Sequence, residues 1–356
     1  TALGVVRGTI HSIIENVKKY AALQGHSPEH DMTHTVPDGF KVRGVSTYYD
    51  KEGKPSGQWV KSSADDERRL EIMRDVVESL KHDLPHYMPI HCEGSPNADL
   101  LNVYVITDFH LSMKSWLPET GADWDIELAE NLLVNWFSHA ISHAPMSEHA
   151  VFAQMGDFLH ADGLEAVTPQ HRHQLDVDTR FQRSVRIAIR VIRKVINMLL
   201  TKHEKVTVIL AEGNHDLASS AWFRELFASV YQDEPRVTID TNADCYYCVE
   251  HGNTALYFHH GHKRGVADID RVFAGKYRQV FGRTKYAYAH LGHLHSNEVK
   301  ESQLMVVERH RTLAAPDAYA SKGGWISGRD AKVITYSKKF GEVGRLTISP
   351  DMVNNK

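Results

Sequence analysis

Two imidazoles stand two residues apart after a glycine in the stretch YAHLGHLHSNE, as Gly292, His293 and His295. Residues two apart on an extended strand point to the same side. Four more groups of similar character occur along the chain: Asp108-Phe-His110, Gly156-Asp157, Gly213-Asn214-His215-Asp216, and His259-His260-Gly261-His262. Taken singly, each is what a turn or a solvated loop carries. Taken together, they offer carboxylates, imidazoles and one neutral amide oxygen. Asp108 and His110 on one side of a strand can share an ion. Asp157 can bridge two ions with its two oxygens, Asn214 offers its amide oxygen, and His260, His293 and His295 complete the set. Mixed carboxylate and imidazole donors suit Mn²⁺, Fe or Zn²⁺ better than Ca²⁺ or Mg²⁺ alone. Two such ions about 3.5–4 Å apart clamp the attacking and leaving oxygens of a displacement at phosphorus. They also acidify a bridging water until it ionises near neutral pH.

The elements that must position these residues are legible from Leu100 onward. LLNVYVITD, HAVFAQMGD and KVTVILAEGNHD are apolar, β-rich runs that each end in polar residues. Between them, DIELAENLLVNWFSHAI and TRFQRSVRIAIRVIRKVINMLL carry apolar residues at helical spacing. Alternating strand and helix predicts a parallel sheet covered on both faces, and such sheets bind ligands at the carboxyl ends of their strands. Every polar group above falls at such an end. TALYFHHGHKRG, YAYAHLGHLHS, LMVVERHRTL and AKVITYS…RLTIS read as further strands of a second sheet.

Ahead of this domain, residues 2–24 read as an amphipathic helix through Ile10, Ile13, Ile14 and Val17. Residues 26–60 read as loop and hairpin, and 64–82 as a charged helix. The three prolines of 83–99 mark a linker. The expected layout is therefore 1–82 as an N-terminal helix and hairpin segment, 83–99 as linker, and 100–350 as the catalytic domain. The chain opens on Thr1, which suggests processing or a start inside a longer reading frame.

Bulk composition narrows the class. At 356 residues, 42% hydrophobic and 24% charged, this is an ordinary globular chain. No apolar run long enough for a transmembrane helix is present, and Arg7, Lys18 and Lys19 argue against a signal peptide. Three cysteines fit a reducing cytosol, so a cytoplasmic location, bacterial or phage-infected, is expected. A net charge of −4 gives no general basic field, so any attraction to nucleic acid is local. Histidine is over-used, with 24 residues.

The series DxH, GD, GNHD, HG and GHxH resembles the signature of the calcineurin-like metallophosphoesterase superfamily, over roughly Leu100 to Ser296. The resemblance implies a four-layer α/β/β/α sandwich, here with a small N-terminal helical and hairpin appendage. It implies two divalent ions, with Mn²⁺ expected and Fe, Zn²⁺ or Mg²⁺ as alternatives. Asp108, His110, Asp157 and His295 would hold one ion; Asp157, Asn214, His260 and His293 would hold the other. His215 would contact the phosphate and protonate the leaving oxygen, and Asp216 would orient its loop. His259, which precedes the liganding His260, is expected in the core, while His262 is a candidate substrate contact.

Substrate class rests on finer signals. GDFLHADG departs from the GDxxDRG of protein phosphatases, and GNHD from their GNHE. Asp157-Phe-Leu-His160 is instead similar to the GDxxH of SbcCD-type repair exonucleases, which would place His160 near the scissile phosphate. Arg180, Arg183, Arg186, Arg190 and Arg193 form one stripe of a helix, at about 100° per residue. Such a stripe either tracks phosphates or is a solvated, salt-bridged face. ALGVVRGTIHSIIENVKKYAAL looks like the second half of a helix-turn-helix, with Arg7, Thr9, His11 and Ser12 facing DNA, and the layout resembles phage-encoded phosphoesterases. CYYC, from Cys245 to Cys248, reads as strand packing, and His171 and His173 as solvated. The expected function is two-metal hydrolysis of phosphodiesters, in DNA, with His215, Asp216 and His160 at the catalytic centre. A small-molecule or cyclic-nucleotide phosphodiesterase or phosphatase is the alternative, and a non-catalytic DNA-binding protein the second. Homo-oligomerisation is left open.

Overall fold

The computed structural model describes residues 7–23, 26–28, 32, 36, 40–51, 55–64, 92, 94–169 and 171–353. The helix expected over 64–82 lies outside the described residues apart from Ala64, which closes a strand, as does most of the segment expected as linker, whose residues 97–99 open another strand. The chain divides into two compact units, Thr1–His86 and Tyr87–Lys356.

In the first unit, α1 (Arg7–Leu23) takes the amphipathic run. Its Ile10, Ile13, Ile14 and Val17 are exposed, as are His11 and Ser12. The side chains of Arg7 and Thr9 lie outside the described set. β1 (Phe40–Tyr49) and β2 (Pro55–Ala64) pair antiparallel as a hairpin, with Val45 opposite Val60.

The second unit is a four-layer α/β/β/α sandwich. Its first sheet is built on β3 (Asn97–Ile106), β4 (Ser147–Gln154), β5 (Lys205–Leu210) and the short β6 (Val237–Ile239), all mutually parallel. Parallel neighbours need a covering crossover. Those here are α3 (Ile126–His143), α4 (Phe181–Leu200) and α5 (Leu217–Val230); a one-turn α2 (Leu117–Thr120) precedes them. Asp125 starts α3 by accepting from the amides of Glu127 and Leu128, which satisfies two otherwise orphaned donors. The second sheet has the order β10–β11–β9–β8–β7, where β7 is Tyr247–His251, β8 Thr254–Phe258, β9 Tyr286–Leu291, β10 Glu298–Glu301 and β11 Val306–Arg309. Helices α6 (Ile269–Lys276) and α7 (Arg278–Arg283) lie between β8 and β9 in sequence, and α8 (Ala318–Gly323) follows β11.

The period of two along β3 explains the layering. Leu101, Val103 and Val105 face the inter-sheet core with Val151, Ala153, Ile209, Leu256, Phe258, Ile334 and Tyr336. Tyr104, between them, turns to the helices and stacks on Phe137 of α3 at 5.9 Å. Outside the second sheet, Ile269 and Phe273 of α6 pack on Ala255, Tyr257, Ala289 and Val307.

One expectation is corrected. β12 (Ala331–Ser337) and β13 (Gly341–Ile348) do not belong to the second sheet: β12 runs antiparallel to β3 and completes a six-stranded first sheet, β13–β12–β3–β4–β5–β6. A hydrophobic run buried on both faces reads the same in either sheet; the choice depends on which edge strand is free to pair.

Candidate metal centre

Asp108 and His110 follow β3, Asp157 follows β4, and Asn214 to Asp216 follow β5, all at the carboxyl edge of the first sheet. His260 follows β8, and His293 and His295 follow β9, at the same edge of the second. Neither Asp108 with His110 nor His293 with His295 is presented by strand alternation, as the sequence spacing suggested. β3 ends at Ile106 and β9 at Leu291. Asp108, His110, Asp157, His293 and His295 instead have φ of 51, 47, 53, 76 and 52°. Left-handed backbone at non-glycine residues is sparsely populated and costs on the order of 1–3 kcal/mol each. It persists here because five loops brace one another.

Two motif glycines supply closeness rather than a turn. A Cβ on Gly213 would overlap the Asp157 carboxylate, and one on Gly292 would overlap Thr107 Oγ1 and Asp108 Oδ2. The carboxylates lie flat against bare backbone, and only glycine leaves that space.

Each carboxylate divides its oxygens between loop and cluster. Asp108 Oδ2 accepts from Thr107 Oγ1 at 2.5 Å and from the His293 amide at 2.8 Å. Its Oδ1 is buried with no hydrogen-bond partner and lies 3.2 Å from His295 Nε2. Asp157 Oδ1 accepts from the His215 amide at 2.8 Å, while Oδ2 lies 3.2 Å from His260 Nε2. The bridging expected of both Asp157 oxygens therefore meets a carboxylate with one oxygen already engaged.

Asp108, His110 and His295 bring donor atoms within 4.8 Å of one another, and so do Asp157, His260 and His293. His110 Nε2 and His295 Nε2 are 3.3 Å apart, and Asn214 Oδ1 is 3.2 Å from His260 Nε2. Donors 2.0–2.1 Å from one tetrahedral ion are themselves about 3.3 Å apart, so these spacings fit a shared cation. The charges fit as well. Two buried carboxylates face each other, and an unpaired buried charge is costly. Burial pushes His260 down, but Asp157 and Asp108 more than offset it, leaving the imidazole raised to about 10. Burial pushes Asp108 up, and His295 and His260 pull it below the ordinary carboxylate range.

The expected catalytic residues take distinct positions. His215 is half-buried, and its Nδ1–H donates to the His160 carbonyl at 2.9 Å, which leaves Nε2 free. His160 is buried, and its Nδ1 lies 3.2 Å from His110 Nδ1. A neutral His160 accepting there holds the ring whose Nε2 faces the cluster. Burial and His215 press His160 down to about 3, so it stays neutral. Asp216 touches no candidate reacting position. It accepts from the amides of Asp157, Phe158, Leu159 and Gly213 at 2.6–3.1 Å. It thereby ties two motif loops together.

His262 is half-buried beside His260 and His293, and neither ring nitrogen has a hydrogen-bond partner among the described residues. His259 is buried, with Nδ1 on the Cys245 carbonyl at 3.0 Å. His171 and His173 are exposed. Cys245 and Cys248 are free, and burial raises their thiols to about 11 and about 12. In the arginine stripe, Arg183 pairs with Glu127, and Arg190 pairs with Glu130 on α3. Arg180 and Arg186 are exposed, and Arg193 is half-buried.

Sequence reasoning missed a second buried cluster, His290, Glu308 and His310. Its signal, the histidine preceding LGHLH and the ERH of β11, was legible only as strand.

No protein-family model and no curated protein matches the sequence. Solved structures do. A predicted phosphoesterase from Streptococcus pneumoniae is 10% identical, covering 70% of this chain and 98% of that one at a TM-score of 0.29. Vps29 of Entamoeba histolytica complexed with zinc is 12% identical, covering 70% and 99% at 0.30. An archaeal phosphodiesterase is 14% identical, covering 69% and 99% at 0.34. None carries a residue role over to this chain.

Proposed function

We propose that this chain hydrolyses phosphodiester bonds at a two-metal centre, with nucleic acid as substrate. The observation that carries the reading is the pair of donor sets, Asp108–His110–His295 and Asp157–His260–His293, side by side at the edge of both sheets. When bound, divalent ions would supply Lewis acidity and neutralise charge at phosphorus. The chain's own groups do the rest. Asp108 and Asp157 each spend one oxygen on loop amides, so the remaining oxygen is held in place. His160 fixes the His110 ring. His215, anchored through Nδ1, offers a protonated Nε2 to the departing oxygen. His262, beside His260 and His293, would reach a phosphate oxygen by turning its ring, since both nitrogens are buried as it stands. His295 is partly exposed, which opens the centre to substrate on that side.

The nucleic-acid assignment draws support from Arg180, exposed just ahead of α4, and Arg186, exposed on it. A second reading, a small diester, is favoured by the salt bridges that occupy Arg183 and Arg190. The test compares, with added Mn²⁺, bis-p-nitrophenyl phosphate, the monoester p-nitrophenyl phosphate, and labelled single- and double-stranded DNA. Cleavage of the diester and DNA supports the nuclease reading. Cleavage of the diester alone replaces it with the small substrate, and cleavage of the monoester alone overturns both.

A further inference from the structure

Each donor set takes ligands from both sheets. Asp108 and Asp157 come from the first, and His295, His260 and His293 come from the second. The spacing within each set therefore depends on how the sheets are registered against each other. Across the inter-sheet core, directly beneath these loops, lies a buried polar network in an otherwise apolar layer. Tyr336 of β12 bonds His290 Nε2 of β9 at 3.0 Å. His290 Nδ1 lies 2.9 Å from His310 Nε2. His310 Nδ1 has no hydrogen-bond partner among the described residues and points toward Glu308, 3.7 Å from Oε1. Glu308 of β11 accepts from Lys332 of β12 at 2.5 Å and Arg345 of β13 at 3.2 Å.

The bonds have one consistent direction. Tyr336 donates to His290 Nε2, so His290 carries its proton on Nδ1 and donates to His310 Nε2. His310 then carries its proton on Nδ1, aimed at the Glu308 carboxylate. Burial keeps both rings neutral, with His290 held down to about 4. The donor atoms of His290, Glu308 and His310 are close enough to hold an ion. Lys332 and Arg345 already neutralise Glu308, however, and a divalent cation would face two more positive charges.

We propose that this network is an inter-sheet clamp, in which Tyr336, His290, Glu308 and Lys332 are positioning residues for the metal pair. The inference rests on the two-metal reading above. Strand register places His290 and Lys332 just below the ligand loops, while Tyr336 lies opposite Leu101, farther down the same interface. His290 lies opposite Phe258 and opposite Glu308, two residues along β8 from His260 and three residues before His293. Lys332 lies opposite Val105, three residues before Asp108. Three bonds thus tie β9, which runs into His293 and His295, and its neighbour β11 to β12 and β13, and β12 in turn pairs with β3, which runs into Asp108. A buried polar group with fixed partners gives register that apolar packing alone leaves loose.

A matched control exists within the same sheet. Tyr104 of β3 bonds His203 Nε2 at 2.9 Å, but on the helix side of the sheet. Tyr336→Phe and Tyr104→Phe each delete one buried tyrosine–histidine bond. The experiment measures Mn²⁺ stoichiometry and affinity by equilibrium dialysis, and exchange coupling of the bound pair by electron paramagnetic resonance. Wild type is expected to bind two coupled ions; a failure here sinks the two-metal reading itself. Given that, Tyr336→Phe is expected to weaken the second ion by roughly tenfold, as loss of a group that orients ligands does, and to alter the coupling. Tyr104→Phe is expected to leave both unchanged. Equal metal affinity and identical coupling in the two variants would overturn the clamp. So would a third equivalent of metal that disappears in His310→Gln. Should Tyr336→Phe not fold, Arg345→Met, on a partly exposed side chain, is read in the same way, and Arg345→Lys should restore the coupling.

Discussion

His215 and Gly292 isolate chemistry from scaffolding at the scale of single residues. His215 offers no ring atom to either donor set; its ring bonds the His160 carbonyl, and only its backbone amide touches Asp157. His215→Asn should therefore bind both ions at wild-type affinity while diester turnover falls about 10²–10⁴-fold, the usual contribution of a positioned acid. Unchanged turnover would remove His215 from proton transfer. Gly292→Ala acts in the opposite manner. Its methyl group collides with Thr107 and the Asp108 carboxylate, so metal content by elemental analysis should fall below two per chain. A variant that keeps both ions would show that the loop yields. The donor residues are legible in the sequence because each motif is local. Their mode of presentation is not. Alternation along a strand suggested paired side chains, whereas left-handed turns beyond the strand ends do the work. The contact of His160 with His110 joins residues 50 apart, and no short-range pattern encodes it.

Elements add what residues lack, which is direction. Helix α4 buries Ala188, Ile192, Val195 and Leu199 and turns its arginines outward. The 3.6-residue period of its apolar positions announces that face. What the period does not announce is the acidic edge of α3, where Glu127 and Glu130 take Arg183 and Arg190. Surface pairs of this kind contribute about 0–1 kcal/mol, so they hold those two arginines against α3 only weakly. Replacing Arg180 and Arg186 with Gln should weaken long DNA and reduce the salt slope of binding by about one per lost phosphate contact. Hydrolysis of bis-p-nitrophenyl phosphate should be untouched. Equal loss on both substrates would make the stripe structural. The placement of β12 and β13 is the matching case for strands. Their apolar pattern fixed them as strands, and only the free edge of β3 decided their sheet.

Across the whole molecule, buried histidine sets the response to acid. Burial holds His149, His203 and His290 down to about 4, well under the ordinary 6.5. Between those values the unfolded chain binds protons that the folded chain refuses. Stability therefore rises with pH across the window from about 4 to 6.5. Above 6.5 this contribution is complete, and as pH falls toward 4 it is progressively lost. The urea midpoint should fall steadily from pH 7 to pH 4.5, and His203→Gln should flatten that fall. A midpoint independent of pH would mean that these rings are protonated in place. The four-layer architecture was legible as alternating strand and helix because its crossovers are regular. The inter-sheet network was not, since His290, Glu308 and Tyr336 become neighbours only when the sheets stack.

The most direct test of the two-metal account is diester turnover as a function of bound Mn²⁺ per chain, starting from chelated protein. Turnover should be absent in the stripped protein, remain low through the first equivalent, and rise to its full value with the second; Asp157→Asn should abolish that rise. Full turnover in stripped protein, or saturation at one equivalent, would contradict the account.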